Sequence, residues 1–130
     1  MVGSRAMKHC LIVDDSRSIR TVTRRILAAV EVRASEAESH ADALEHCARE
    51  MPDCIVIDWM MPSNGSIVTL MRNIRALPGG ERPLIFYLVS EYTDADFAAA
   101  KQKGANALMM KPFDRETFLR PLVESGFLAP

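Results

Sequence analysis

Five times along this chain a strand-like segment gives way to one with helical spacing, and this alternation constrains the fold more than any other feature. Leu11-Ile12-Val13 is an apolar run cut off by Asp14-Asp15-Ser16, the signature of a buried strand leading into a helix cap. Ile19, Val22, Ile26, Leu27 and Val30 then recur at helical spacing between Arg17 and Val30, with Arg17, Arg20, Arg24 and Arg25 assigned to a basic outer surface. Val30 to Ala34 alternates as an outer strand would, and Ala41, Leu44, Cys47, Ala48 and Met51 resume the helical period up to Pro52. Cys54-Ile55-Val56-Ile57 is a continuous run ending at Asp58, followed by Ile67, Leu70, Met71, Ile74 and Leu77 on a helix that Pro78-Gly79-Gly80 stops.

The fourth unit is Leu84 to Val89, ending at Ser90, with a helix capped by Thr93 or Asp94 that runs to about Lys103 and stops at Gly104. The fifth is Ala105 to Met110, then Lys111-Pro112 and a helix capped by Asp114, which Pro121 is expected to shorten or bend. Strand and helix in strict alternation call for a parallel sheet with helices on both faces, a three-layer α/β sandwich, because right-handed crossovers place the helices there.

Length and composition agree with one unit of this kind. The 130 residues suffice for one hydrophobic core; the first six, 1–6, resemble a cloning remnant, leaving 7–130 as a single domain. A formal charge of -1 gives no global attraction to nucleic acid, and no DNA-binding domain is expected. No apolar run is long enough to span a membrane and no secretory leader is evident, so the expected compartment is the cytoplasm. Cys10, Cys47 and Cys54 lack C-x-x-C spacing and read as small core residues.

The chemically able side chains collect at strand carboxyl ends: Asp14 and Asp15 after the first strand, Asp58 after the third, Ser90 after the fourth, Lys111 after the fifth. In an open parallel sheet those ends face the crevice where ligands bind. With strand order 2-1-3-4-5, the first and third strands lie about 4.8 Å apart and the three aspartates converge. Carboxylates so close repel unless a cation intervenes, and Mg2+ suits a few carboxylates plus a phosphate. Asp15 and Asp58 would hold the ion, Asp14 acting through water. Asp58 is the candidate nucleophile for an acyl phosphate; Lys111 and the Ser90 hydroxyl would meet phosphoryl oxygens. Each signal alone has a plainer reading: an acidic pair before a helix is commonly a cap, and Asp58 a loop acid.

Over Met7 to about Phe127 the chain resembles the bacterial response-regulator receiver family, of the single-domain, chemotaxis-regulator type. The resemblance rests on Val13-Asp14-Asp15-Ser16, Asp58-Trp59-Met60-Met61-Pro62, Ser90, and Gly104-Ala105 followed by Lys111-Pro112-Phe113. It implies a flavodoxin-like sandwich with a five-stranded parallel sheet of order 2-1-3-4-5. It further implies Asp58 as phosphoacceptor, Asp14 and Asp15 as metal acids, Met60 as a Mg2+ ligand through its backbone carbonyl, Ser90 and Lys111 as the switch pair, and a cis Lys111-Pro112 bond. The implied partners are a histidine kinase or histidine phosphotransfer protein and a downstream target, read through the face of the last two helices; the chain would be a monomer or weak dimer. It would be no enzyme beyond catalysing its own phosphorylation and dephosphorylation.

The sequence departs from the family pattern in four places. Leu108 stands where an aromatic is usual, the loop after Asp58 is one residue short, Glu91 replaces a small residue, and Met60 and Tyr92 flank the position of attacking water, which implies slow dephosphorylation. These departures motivate the alternative of a receiver-like interaction module that works without phosphorylation. A phosphate-ester hydrolase is a third reading, but Asp14-Asp15-Ser16 lacks the D-x-D spacing such enzymes show; no glycine-rich phosphate loop supports nucleotide binding.

Overall fold

The computed structural model describes residues 7–59, 61, 66–90, 98, 102 and 107–130. Five parallel strands form one sheet: β1 (His9–Val13), β2 (Arg33–Ala37), β3 (Cys54–Asp58), β4 (Leu84–Val89) and β5 (Ala107–Met110), in the order β2-β1-β3-β4-β5. Four helices have described bounds: α1 (Arg17–Ala29), α2 (His40–Arg49), α3 (Ile67–Arg75) and α4 (Arg115–Glu124). Residues 98 and 102, inside the helix expected between β4 and β5, are both helical.

The sheet is buried because its central strands present apolar side chains to both sides. Leu11, Val13, Ile55, Ile57, Ile85 and Tyr87 pack against Ala43 and Cys47 of α2 and Leu70, Met71 and Ile74 of α3. The alternate residues Cys10, Ile12, Cys54, Val56, Phe86 and Leu88 pack against Leu27 of α1 and Phe118 and Leu122 of α4. Burial of each large side chain stabilises the fold by about 1.5–3 kcal/mol, enough for the two half-cores to fix the register. The cysteines are buried free thiols in these clusters, as expected.

The helices start where the sequence supplies a side-chain acceptor. Ser16, Ser39 and Ser66 each accept from the backbone N–H three residues on, and Asp114 forms a capping box with Thr117.

Two expectations are corrected. β2 begins at Arg33, not Val30: Val30 caps α1 and Glu31 takes a left-handed backbone (φ 63°), so Val30 and Val32 belong to a turn packed on the α1 side. α4 continues for three residues past Pro121, because Phe118 and Leu122 are wholly buried and the capping box secures its start.

Candidate functional site

Register places the site. Val13 of β1 lies opposite Ile57 of β3, so the next residues, Asp14 and Asp58, sit side by side where the two strands end. Asp58 is itself opposite Leu88 of β4, and Val89 is opposite Met110 of β5, so Ser90 and Lys111 follow at the same edge. Carboxylate oxygens of Asp14, Asp15 and Asp58 lie within 4.8 Å of one another. The expected trio is therefore assembled.

Lys111 is held within this cluster. Its Nζ donates to Asp14 Oδ2 at 2.9 Å and is 3.5 Å from Asp58 Oδ2. The Lys111 side chain is 17% exposed and Asp14 0%, so little water competes with the pair. Lys111 N–H also donates to Val89 O at 2.7 Å, and the Lys111-Pro112 bond is cis, as the family resemblance implies. Asp58 is 9% exposed, open at the surface of an otherwise buried strand. Ser90 is exposed just past β4.

Three carboxylates against one ammonium leave a formal excess of two negative charges, 3 − 1 = 2, with Asp14 and Asp58 largely shut off from water. A small divalent cation would balance it, and an all-oxygen donor set with one exposed member, Asp15, is the kind Mg2+ takes while keeping several waters. Asp14 is engaged elsewhere: Oδ1 accepts from Ser16 N–H at 2.9 Å and Oδ2 from Lys111. Asp15 and Asp58 are thus better placed to hold an ion directly.

The sequence reading missed Arg20. It was placed on a basic outer surface, yet its side chain is only 12% exposed, donating from Nε to Glu36 Oε1 at 2.9 Å and from a terminal nitrogen to the Asp14 carbonyl at 2.7 Å. Glu36 lies opposite Ile12 in the β1–β2 register and shares its α1-facing side; that parity was the available signal. Leu108 is half-buried beside its register partner Tyr87, in the half-core that also holds Ile57 and Met61. Met60, the 62–65 loop, Glu91, Tyr92, Thr93, Asp94, Lys103, Gly104 and Ala105, on which other expectations rested, lie outside the described residues.

Residues 10–122 match the family model for the response regulator receiver domain. The chain belongs to this family. Among curated relatives, response regulator MprA of Mycobacterium leprae is 32% identical over 84% of this chain and 46% of its own length. The DNA-binding transcriptional regulator NtrC of Escherichia coli K12 is 34% identical over 79% of this chain and 21% of its own. The receiver therefore spans less than half of these relatives. Among solved structures, chemotaxis response regulator CheY4 of Vibrio cholerae superposes with a TM-score of 0.84 at 27% identity, covering 92% of this chain and 99% of that one. The receiver domain of sensor histidine kinase PA1611 from Pseudomonas aeruginosa, solved with a magnesium ion in its active site cleft, gives 0.79 at 27% identity, covering 93% and 99%. No described helix of this receiver is long and apolar enough to cross a membrane.

Proposed function

We propose that this receiver is a Mg2+-dependent phosphoryl-accepting switch of a two-component or phosphorelay pathway, with Asp58 as acceptor. The observation that carries the reading is the convergence of Asp14, Asp15 and Asp58 at the sheet's carboxyl edge, with the Lys111 ammonium against Asp14 and Asp58. Asp15 and Asp58 would hold Mg2+, joined by the Met60 carbonyl, with Asp14 acting through water. When bound, the ion supplies charge neutralisation at the phosphoryl oxygens.

Asp58 does the covalent work. One carboxylate oxygen forms a bond to phosphorus while the bond from phosphorus to the donor breaks, and the donor leaves with that electron pair. The donor is a histidine kinase or histidine phosphotransfer protein. Lys111 already points at Asp58 and exchanges its bond to Asp14 for one to a phosphoryl oxygen; the Ser90 hydroxyl donates to another. The change at Ser90 is then read by a target protein at the face of the last two helices. With Leu108 half-buried against the α2–α3 half-core, that response proceeds without an aromatic swing. The switch works in the cytoplasm as a monomer or weak dimer and catalyses nothing beyond its own loading and unloading.

Intact mass after incubation with acetyl phosphate tests the reading. A gain of one phosphoryl group with Mg2+, absent with chelator and absent in Asp58→Asn, is the expected result. No gain in the wild type would favour the alternative, a receiver-like module that binds partners unphosphorylated.

A further inference from the structure

Asp14 has every polar group engaged by the protein itself. Its N–H donates to Ala37 O at 3.1 Å, Oδ1 accepts from Ser16 N–H, Oδ2 from Lys111, and its carbonyl from Arg20 at 2.7 Å. Asp15 has no hydrogen-bond partner among the described residues, although its carboxylate stands with the other two. Its position is therefore set through the backbone, by the peptide it shares with Asp14, and Arg20 grips the carbonyl of that peptide.

Arg20 is in turn fixed by β2. Its Nε donates to Glu36 Oε1 at 2.9 Å, while Glu36 Oε2 lies 3.6 Å from Arg24 Nε. Two different nitrogens of one planar guanidinium thus span the top of β2 and the end of β1, a fork that lysine, with a single nitrogen, cannot reproduce at both ends. Glu36, shared between Arg20 and Arg24, offsets part of the positive charge that the clamp brings to the acidic turn. Arg24 reaches Glu36 only, and Arg17 and Arg25 reach neither group among the described residues, so the bond to the Asp14 carbonyl separates Arg20 from the other α1 arginines.

We infer that Arg20, clamped by Glu36, is a positioning residue that presets the Asp14–Asp15 turn for the divalent cation. The inference rests on the Mg2+ reading of the site given above. Outer groups that orient metal ligands typically change metal affinity by about 10–100-fold when removed; because Arg20 acts through backbone, the low end applies.

The experiment measures Mg2+ affinity of the full chain by titration calorimetry, together with amide exchange at Ser16 in metal-free protein. Arg20→Met is expected to weaken Mg2+ binding about tenfold. The labelling rate from acetyl phosphate should return to within about twofold of wild type at saturating Mg2+, since the arginine acts on the ion's seat and not on the phosphoryl group. Glu36→Gln keeps an amide oxygen for Arg20 and should lose less than about threefold, with Arg20→Lys between the two. The Ser16 N–H, bonded to Asp14 Oδ1, should exchange faster in Arg20→Met without any metal present. Mg2+ affinity within twofold of wild type in Arg20→Met, or a lower saturating rate at unchanged affinity, overturns the inference. If Arg20→Met does not fold, the same comparison on Arg20→Lys decides. Should the wild type take up no Mg2+, the functional reading fails, and Ser16 exchange alone judges the clamp: unchanged exchange refutes it.

Discussion

Replacing Lys111 with methionine removes the cation paired with Asp14 and Asp58 while keeping most of the side-chain volume. At an effective dielectric of about 20, attraction across the 2.9 Å contact with Asp14 is about 6 kcal/mol, much of it offset by desolvation of the two charges. What counts for the variant is the buried carboxylate left behind, since breaking such a pair costs about 3–5 kcal/mol. The Lys111 side chain is 17% exposed and Asp14 keeps the Ser16 N–H, which places the loss near about 3 kcal/mol in chelator. For a domain of this size that is a fall in Tm of about 12 °C. Mg2+ should narrow the gap: at a hundredfold excess over Kd a ligand adds about 2.7 kcal/mol, and without the competing ammonium the variant should bind the ion more tightly than wild type. Thermal unfolding of both proteins, with chelator and with saturating Mg2+, gives four numbers. An equal Tm deficit in the two conditions, or a variant as stable as wild type in chelator, would refute the reasoning.

Three further predictions concern the scaffold. His9 is buried, with Nε2 bonded to Ser35 Oγ at 2.8 Å; burial and then Arg33 and His46 hold its pKa below 6.5 against the opposing pull of Glu50 and Asp53. The unfolded chain therefore takes the proton first, and stability is steady above about pH 6.5 and falls below it; His9→Gln should show a smaller loss in urea midpoint between about pH 7.5 and 5.5, and an equal loss counts against this assignment. Gly80→Ala should destabilise by about 1–3 kcal/mol, because its Cβ would meet Ile74 O at 2.0 Å and Leu77 O at 2.9 Å; a change under about 0.5 kcal/mol by chemical denaturation contradicts it. Tyr87, wholly buried edge-on to Trp59 at 4.9 Å between centroids, has a hydroxyl without a hydrogen-bond partner among the described residues, so Tyr87→Phe should be neutral or stabilising by up to about 1 kcal/mol. A loss beyond about 1 kcal/mol would reveal a partner for that hydroxyl.

The fold was legible where burial on both faces writes itself into the sequence. β1, β3 and β4 appear as unbroken apolar runs, and each ends within a residue of the place the run stops. β2 does not, because Arg33–Ala37 buries only Ala37 at a sheet edge, and the alternating valines before it serve a turn instead. Pro121 misled in the opposite sense: local propensity argues against a helix there, but Phe118 and Leu122 hold α4 on the sheet. Asp14, Asp15, Asp58, Ser90 and Lys111 could be nominated because parallel topology turns strand ends into a site. The direct Lys111–Asp14 bond and the Arg20–Glu36 clamp could not, since both depend on side chains distant in sequence, 97 and 16 residues apart, meeting in space.

The central claim is that Asp58, seated beside Asp14, Asp15 and Lys111, accepts the phosphoryl group. Borohydride reduces an aspartyl phosphate to homoserine, so peptide sequencing by mass spectrometry after treatment with acetyl phosphate identifies the acceptor residue. The account predicts homoserine at position 58 when Mg2+ is present and intact aspartate there when it is chelated. Homoserine at Asp14 or Asp15, or unmodified aspartate at all three positions with Mg2+ present, would contradict it.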